Sequence, residues 1–185
     1  MSQKPIRSHP GDDGTTCLLF GKRVSKTGPR CEALGALDEA QSAMGLARTL
    51  TRKRCVRELL VEAQRGISRV CVEVAAEQEH RDKFKRLYGT MDAGLTRALD
   101  EALEAFSAEM EPLRSFVLPG GSRVSAALDV ARTVVRRAER QVVALKEQGL
   151  LENQEPLRYM NRLSELMFAL ARYEDSASPK KPRQA

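Results

Sequence analysis

Glycine, carboxylate, hydroxyl and basic side chains crowd the stretch HPGDDGTTCLLFGKRVSK at residues 9–26. Gly11 and Gly14 let backbone N–H groups approach an anion closely, Thr15 and Thr16 offer hydroxyls, and Lys22, Arg23 and Lys26 offer charge. Asp12 and Asp13 suit such a loop if they orient its backbone, pair with its basic residues, or help hold a metal ion with phosphates. A Walker loop does not fit. Thr16 stands where that motif needs its first glycine, Arg23 replaces its Ser/Thr, and no strand precedes the segment. The stretch is therefore either a phosphate-holding loop or a turn-rich leader with hydrated charges.

A second group lies in ARTVVRRAERQVV, where Arg132, Arg136 and Arg140 recur every fourth residue and so share one face of a helix. Like charges at that spacing disfavour an isolated helix by roughly 0.2–0.5 kcal/mol per pair, which Asp129 and Glu139 can partly offset. A solvated face, structural ion pairs and an anion site all remain open. Loop and stripe together would suit one triphosphate.

The elements that must position these groups are helical. Apolar residues recur at three- and four-residue spacing over about 32–49, 53–76 and 91–110, with Leu37, Met44, Leu60, Ile67, Leu99 and Phe106 among the inward positions. The short basic link between the first two helices predicts an antiparallel pair. Ser122 reads as the N-cap of a fourth helix that Gly149 stops, its buried face formed by Leu128, Ala131, Val135, Ala138, Val142 and Leu145. A fifth runs over about 155–174. The fold class is all-α: a five-helix bundle over residues 1–175 behind an extended N-terminal loop, with a disordered polar tail at 176–185.

Composition bounds the partners. The 185 residues are a single-domain length, and none of their apolar runs approaches the ~18 residues that cross a membrane. The N-terminus shows no signal or transit pattern, so a cytoplasmic location is expected. A net charge of +6 calls for an anionic partner. An aromatic content of 4% without Trp leaves few platforms for stacking nucleic-acid bases. Cys17, Cys31, Cys55 and Cys71 lack metal-ligand spacing and are expected to be free, mostly buried thiols. With only His9 and His80, a histidine-rich metal site is excluded.

Three blocks, GDDGTT…GKRVSK…R.EALGALDE, FVLPGGS…AALDVARTVVRRAER and YMNRLSELMFALAR, stand in an order and at distances that resemble the PduO-type ATP:cob(I)alamin adenosyltransferases over about residues 10–174. The resemblance implies a homotrimeric five-helix bundle that moves the 5′-deoxyadenosyl group of ATP onto the cobalt of reduced cobalamin and releases triphosphate. Co(I) itself is the nucleophile, so the protein's work is positioning, charge neutralisation and control of cobalt coordination. By the same resemblance Gly11, Asp12, Gly14, Thr15, Thr16 and Lys26 would hold ATP. Arg136 and Arg140 would meet it from the adjoining subunit with Glu139 nearby, and Asn161 matches the family asparagine at the nucleotide. Asp38 would pair with Arg132 across the interface, and Phe116 would lie against the lower corrin face and displace the lower axial ligand. Mg²⁺ is expected with ATP; a reductase and an adenosylcobalamin-dependent acceptor enzyme are implied partners, nucleic acid and membrane are not. A non-catalytic ATP- or corrinoid-binding bundle, acting as carrier or sensor, is the alternative.

The sequence departs from the family pattern in three places. Pro10 replaces the usual threonine before Gly-Asp, Gln41 ends a motif that many relatives close with asparagine, and Asp129 stands where a histidine is common. The last puts a carboxylate beside the arginines.

Overall fold

The computed structural model describes residues 11–110, 112 and 115–176; Pro10 and the tail from 177 lie outside the described residues. Two three-residue strands come first, β1 (Thr15–Cys17) and β2 (Arg23–Ser25), followed by α1 (Pro29–Leu50) and α2 (Arg54–Ala75). A 3₁₀ turn at Gln78–His80 leads into the short α3 (Arg81–Tyr88). Then come α4 (Ala93–Ala108), α5 (Arg123–Glu147) and α6 (Glu155–Ser176).

The five long helices are those the periodicity predicts, and each begins where local chemistry allows. Pro29 opens α1, a position whose missing N–H would be unpaired anyway. Asp92 caps α4 by accepting from the Gly94 N–H at 2.7 Å. Ser122 and Ser125 form a reciprocal capping box on α5, each hydroxyl accepting from the other's backbone N–H. Gly149 follows α5 with φ +69°, the left-handed geometry a stop requires.

α5 is the central helix, packed on α1 along one side and α6 along the other; α2 adjoins α1, and α4 adjoins α6. The α5 face predicted to be inside, Leu128 through Leu145, is fully buried. It meets Leu37 and Met44 of α1 and Met160, Leu163 and Met167 of α6 in one continuous core. Arg30, buried in the first turn of α1, donates to the carbonyls of Val74 and Leu150 and so ties the root of α1 to the ends of α2 and α5. Tyr159 is 1% exposed and donates to the Ala63 carbonyl at 3.1 Å. Its ring fits only because position 66 is glycine: a Cβ there would stand 1.9 Å from the phenolic oxygen. Alanine is the better helix former by about 1 kcal/mol, yet Gly66→Ala is expected to lower stability by about 1–3 kcal/mol through overpacking, read as a lower midpoint in urea unfolding.

The structure corrects four expectations. The N-terminal segment is not an irregular leader, because β1 and β2 pair antiparallel with Thr16 opposite Val24. A sixth helix, α3, lies between α2 and α4. Ser176, assigned to the tail, closes α6. Finally, Cys17 and Cys55 are exposed and Cys31 and Cys71 half-buried, so the thiols are free but not mostly buried. Burial pushes the Cys71 thiol up to about 11, with the charge of Asp38 adding to the effect.

Candidate active site

The hairpin gives the glycine-rich stretch a defined shape. Its turn closes through Gly21 N–H to the Leu18 carbonyl at 3.0 Å and Leu18 N–H to the Lys22 carbonyl at 2.9 Å. Gly21 sits at φ +92°, the bulge position of a three-residue hairpin loop. At the open end Gly14, φ +77°, receives the Lys26 N–H at 2.9 Å, and Lys26 Nζ donates to the Gly11 carbonyl at 2.6 Å. Gly11, Gly14 and Lys26 therefore meet at one point, with Thr15 and Thr16 leading away in β1. Asp12 is exposed beside them.

Asp13 organises the same end. Its carboxylate accepts from the Thr15 N–H at 3.0 Å, from the Thr15 hydroxyl at 2.8 Å and from Arg23 at 2.8 Å. The Thr15 hydrogen bonds, with Arg23 behind them, hold its carboxyl below the usual range. Lys22 points elsewhere, to Glu79 and, at 3.3 Å, to Glu77. Their mutual hydrogen bond raises Lys22 and lowers Glu79 relative to their ordinary values. Of the three basic residues expected to face an anion, Lys22 and Arg23 are thus occupied by carboxylates, whereas Lys26 donates to the Gly11 carbonyl.

The second assembly lies between α4, α5 and α6. A cleft of about 560 Å³ is lined by Leu103, Met110, Arg132, Arg136, Phe168 and Arg172. Arg132 donates from Nε to Asp129 at 3.4 Å, and Arg172 grips the other oxygen of Asp129 at 2.6 Å. Asp129 and Arg172 are both 5% exposed at the side chain, while Nε and Nη1 of Arg172 are buried with no hydrogen-bond partner among the described residues. Removing Arg172 leaves the buried Asp129 carboxylate with the more distant Arg132 as its remaining partner, a weaker compensation of a buried charge. Arg172→Met is therefore expected to cost about 3–5 kcal/mol in denaturant unfolding, partly recovered by adding Asp129→Asn.

Of the remaining predicted residues, Arg136 is among those lining this cleft and the others lie outside its lining. Arg140 continues the row, donating to the Arg136 carbonyl at 3.2 Å. Glu139 is half-buried between them. Asn161 of α6 is exposed and donates to Glu165 at 3.3 Å; Glu165 lines the large cleft, while Asn161 lines a neighbouring one between α4 and α6. Phe116, in the link from α4 to α5, is fully exposed, and Leu118 nearby is 75% exposed. Asp38 is exposed on α1, and within the chain Arg132 pairs with Asp129 rather than with it. The side-chain bonds of Asp13, Thr15, Arg23 and Lys26 stay within the N-terminal stretch, and those of Lys22 reach the segment after α2. One chain thus holds two separate assemblies, a glycine-threonine hairpin and an arginine-lined cleft.

Arg172, Phe168 and Glu165 were not singled out from sequence. The available signal was a charged residue on the buried face of a strongly apolar helix, in LMFALAR.

Bundle, hairpin and arginine row define an all-α protein with a glycine-rich hairpin and an arginine-lined cleft. A family profile described as cobalamin adenosyltransferase matches residues 6–174. Over 171 residues the chain is 40% identical to the corrinoid adenosyltransferase PduO of Salmonella typhimurium, covering 92% of this chain and 50% of that protein. It is 36% identical to a corrinoid adenosyltransferase of Citrobacter freundii, covering 92% and 95%. The chain spans about half the length of the two PduO relatives it matches. Among solved structures, a phenylalanine-to-alanine variant of a PduO-type ATP:corrinoid adenosyltransferase from Lactobacillus reuteri, complexed with cobalamin and ATP, superposes with a TM-score of 0.85 at 30% identity, covering 93% of this chain and 94% of that one. An arginine-to-lysine variant complexed with ATP gives 0.83 at 32% identity, covering 92% and 94%. The chain belongs to the cobalamin adenosyltransferase family.

Proposed function

We propose that the chain transfers the 5′-deoxyadenosyl group of ATP to the cobalt of reduced cob(I)alamin, yielding adenosylcobalamin and triphosphate. The observation that carries this reading is the pairing of an arginine-lined apolar cleft with a hairpin whose glycines converge on Lys26. The hairpin would hold the triphosphate through Gly11, Asp12, Gly14, Thr15, Thr16 and Lys26. Arg136, Glu139, Arg140 and Asn161 of an adjoining subunit would complete the nucleotide site, which is why the two halves need not meet within one chain. Asp38 would reach Arg132 across that interface, in a homotrimer.

Chemically, the Co–C bond forms as the C5′–O bond breaks; Co(I) supplies the electron pair and triphosphate carries the leaving charge. The side chains therefore align the reactants and neutralise the departing phosphates, and none needs to act as nucleophile. Arg136 and Lys26 suit the second task as charge-assisted donors. Phe116 would press on the lower corrin face and exclude an axial ligand. Among the described residues no group of three or more His, Cys, Asp or Glu is arranged for a metal ion. Mg²⁺ would accordingly be held chiefly by the ATP phosphates.

A single domain over residues 1–175, a cytoplasmic location, a supplying reductase and an adenosylcobalamin-dependent acceptor enzyme complete the proposal. No helix among the described residues is long and apolar enough to cross a membrane. Anaerobic incubation with ATP and chemically reduced cobalamin should convert the cobalt spectrum to that of the alkylated corrinoid. Nucleotide or corrinoid binding without that conversion would instead support a carrier.

A further inference from the structure

The segment between α2 and α4 has no part in the proposed chemistry, yet it is where the hairpin tip docks. Phe20, at that tip, packs edge-on against His80 at 5.2 Å between ring centres and lies 6.5 Å from Tyr88. Lys83 stands 4.9 Å over the same ring. One residue beyond the turn, Lys22 reaches Glu77 and Glu79 in the segment that follows α2. This receiving segment is itself fixed. Phe84 is 1% exposed and stacks on Tyr88. Arg81 pairs with the buried Glu73 at 3.2 Å, Arg69 donates to the Tyr88 carbonyl at 2.9 Å, and Gln78 donates to the Gly149 carbonyl at 3.1 Å.

A lone two-stranded hairpin is marginal in water. At its other end this one runs through residues 26–28 directly into α1. Without a hold on the tip it would pivot there, and Gly11, Gly14 and Lys26 would lose their shared geometry. We infer that residues 77–88 are a brace that positions the nucleotide hairpin, with Phe20, Lys22, Glu77 and Glu79 as positioning residues for ATP that never touch it. The inference rests on the hairpin being the triphosphate site.

Phe20 should matter more than Lys22. Exposed ion pairs contribute little, and Lys22 and Glu79 are both more than half exposed, whereas aromatic contacts add to apolar burial. The test compares Phe20→Ala, Lys22→Glu and the exchanged pair Lys22→Glu/Glu79→Lys with Lys26→Ala, measuring KM for ATP, KM for cobalamin, kcat and melting temperature. Phe20→Ala is expected to raise KM for ATP about 10-fold and Lys22→Glu about threefold, with kcat and the cobalamin KM within about twofold. The exchanged pair should recover at least half of the Lys22→Glu effect. An unchanged KM for ATP in both single variants, with Lys26→Ala inactive, would overturn the brace while leaving the hairpin as the ATP site. Wild-type behaviour of Lys26→Ala would overturn both. Should Phe20→Ala fold poorly, the surface charge exchange decides alone, since rescue by reversal is not the signature of general destabilisation.

Discussion

Replacing Arg136 by alanine is expected to remove turnover while leaving the bundle folded. The side chain is exposed on α5, lines the cleft, and enters no ion pair among the described residues. Surface substitutions of that kind move stability by about 0.5 kcal/mol or less. A guanidinium aimed at phosphates whose charge grows in the transition state is another matter. Loss of one such donor costs on the order of 100- to 1,000-fold in kcat. Lys26→Ala should behave alike from the other half of the site, because its one structural bond, to the Gly11 carbonyl, lies at the exposed glycine end. The expected pattern is a circular-dichroism spectrum and melting temperature like those of the unmodified chain, with activity near background in both variants. Mixing the two inactive variants should regain part of the activity if subunits exchange, since each retains the half-site the other lacks.

Phe116→Ala should separate the two substrates. An aromatic ring fully exposed between a polar turn and Leu118 contributes nothing to the core, so its removal should leave stability unchanged. If the ring lies against the corrin, its loss lets an axial ligand remain on cobalt and makes the reduction to Co(I) harder. Turnover with cobalamin should fall on the order of 10- to 100-fold, while KM for ATP stays within about twofold. Equal effects on both substrates, or none, would remove Phe116 from the corrin face.

Much of the architecture is legible in the sequence because it rests on short-range rules. The inward face of α5 repeats at helical spacing, Ser122 and Gly149 bracket it, and every predicted core position there is fully buried. The hairpin escapes such a reading: Thr15–Cys17 and Arg23–Ser25 are too short to show alternation, and their pairing depends on a bulge at Gly21. α3 is hidden for a related reason, since RDKFKRLY is mostly charged and only Phe84 is fully buried. Long-range pairing decides the rest. Lys22 looks like an anion ligand beside Gly21, yet its carboxylates, Glu77 and Glu79, arrive from more than fifty residues away. Asp129 reads as an oddity next to the arginines; the structure makes it the shared acceptor for Arg132 and for the buried Arg172 of another helix.

The central claim is that ATP leaves its adenosyl group on cobalt and departs as triphosphate. It is tested most directly by counting phosphorus products against alkylated corrinoid in one anaerobic reaction with ATP and reduced cobalamin. Inorganic triphosphate and adenosylcobalamin are expected to rise together, one for one, with neither formed when cobalamin is left unreduced. Release of phosphate or diphosphate in its place, or triphosphate without a cobalt–carbon bond, would contradict it.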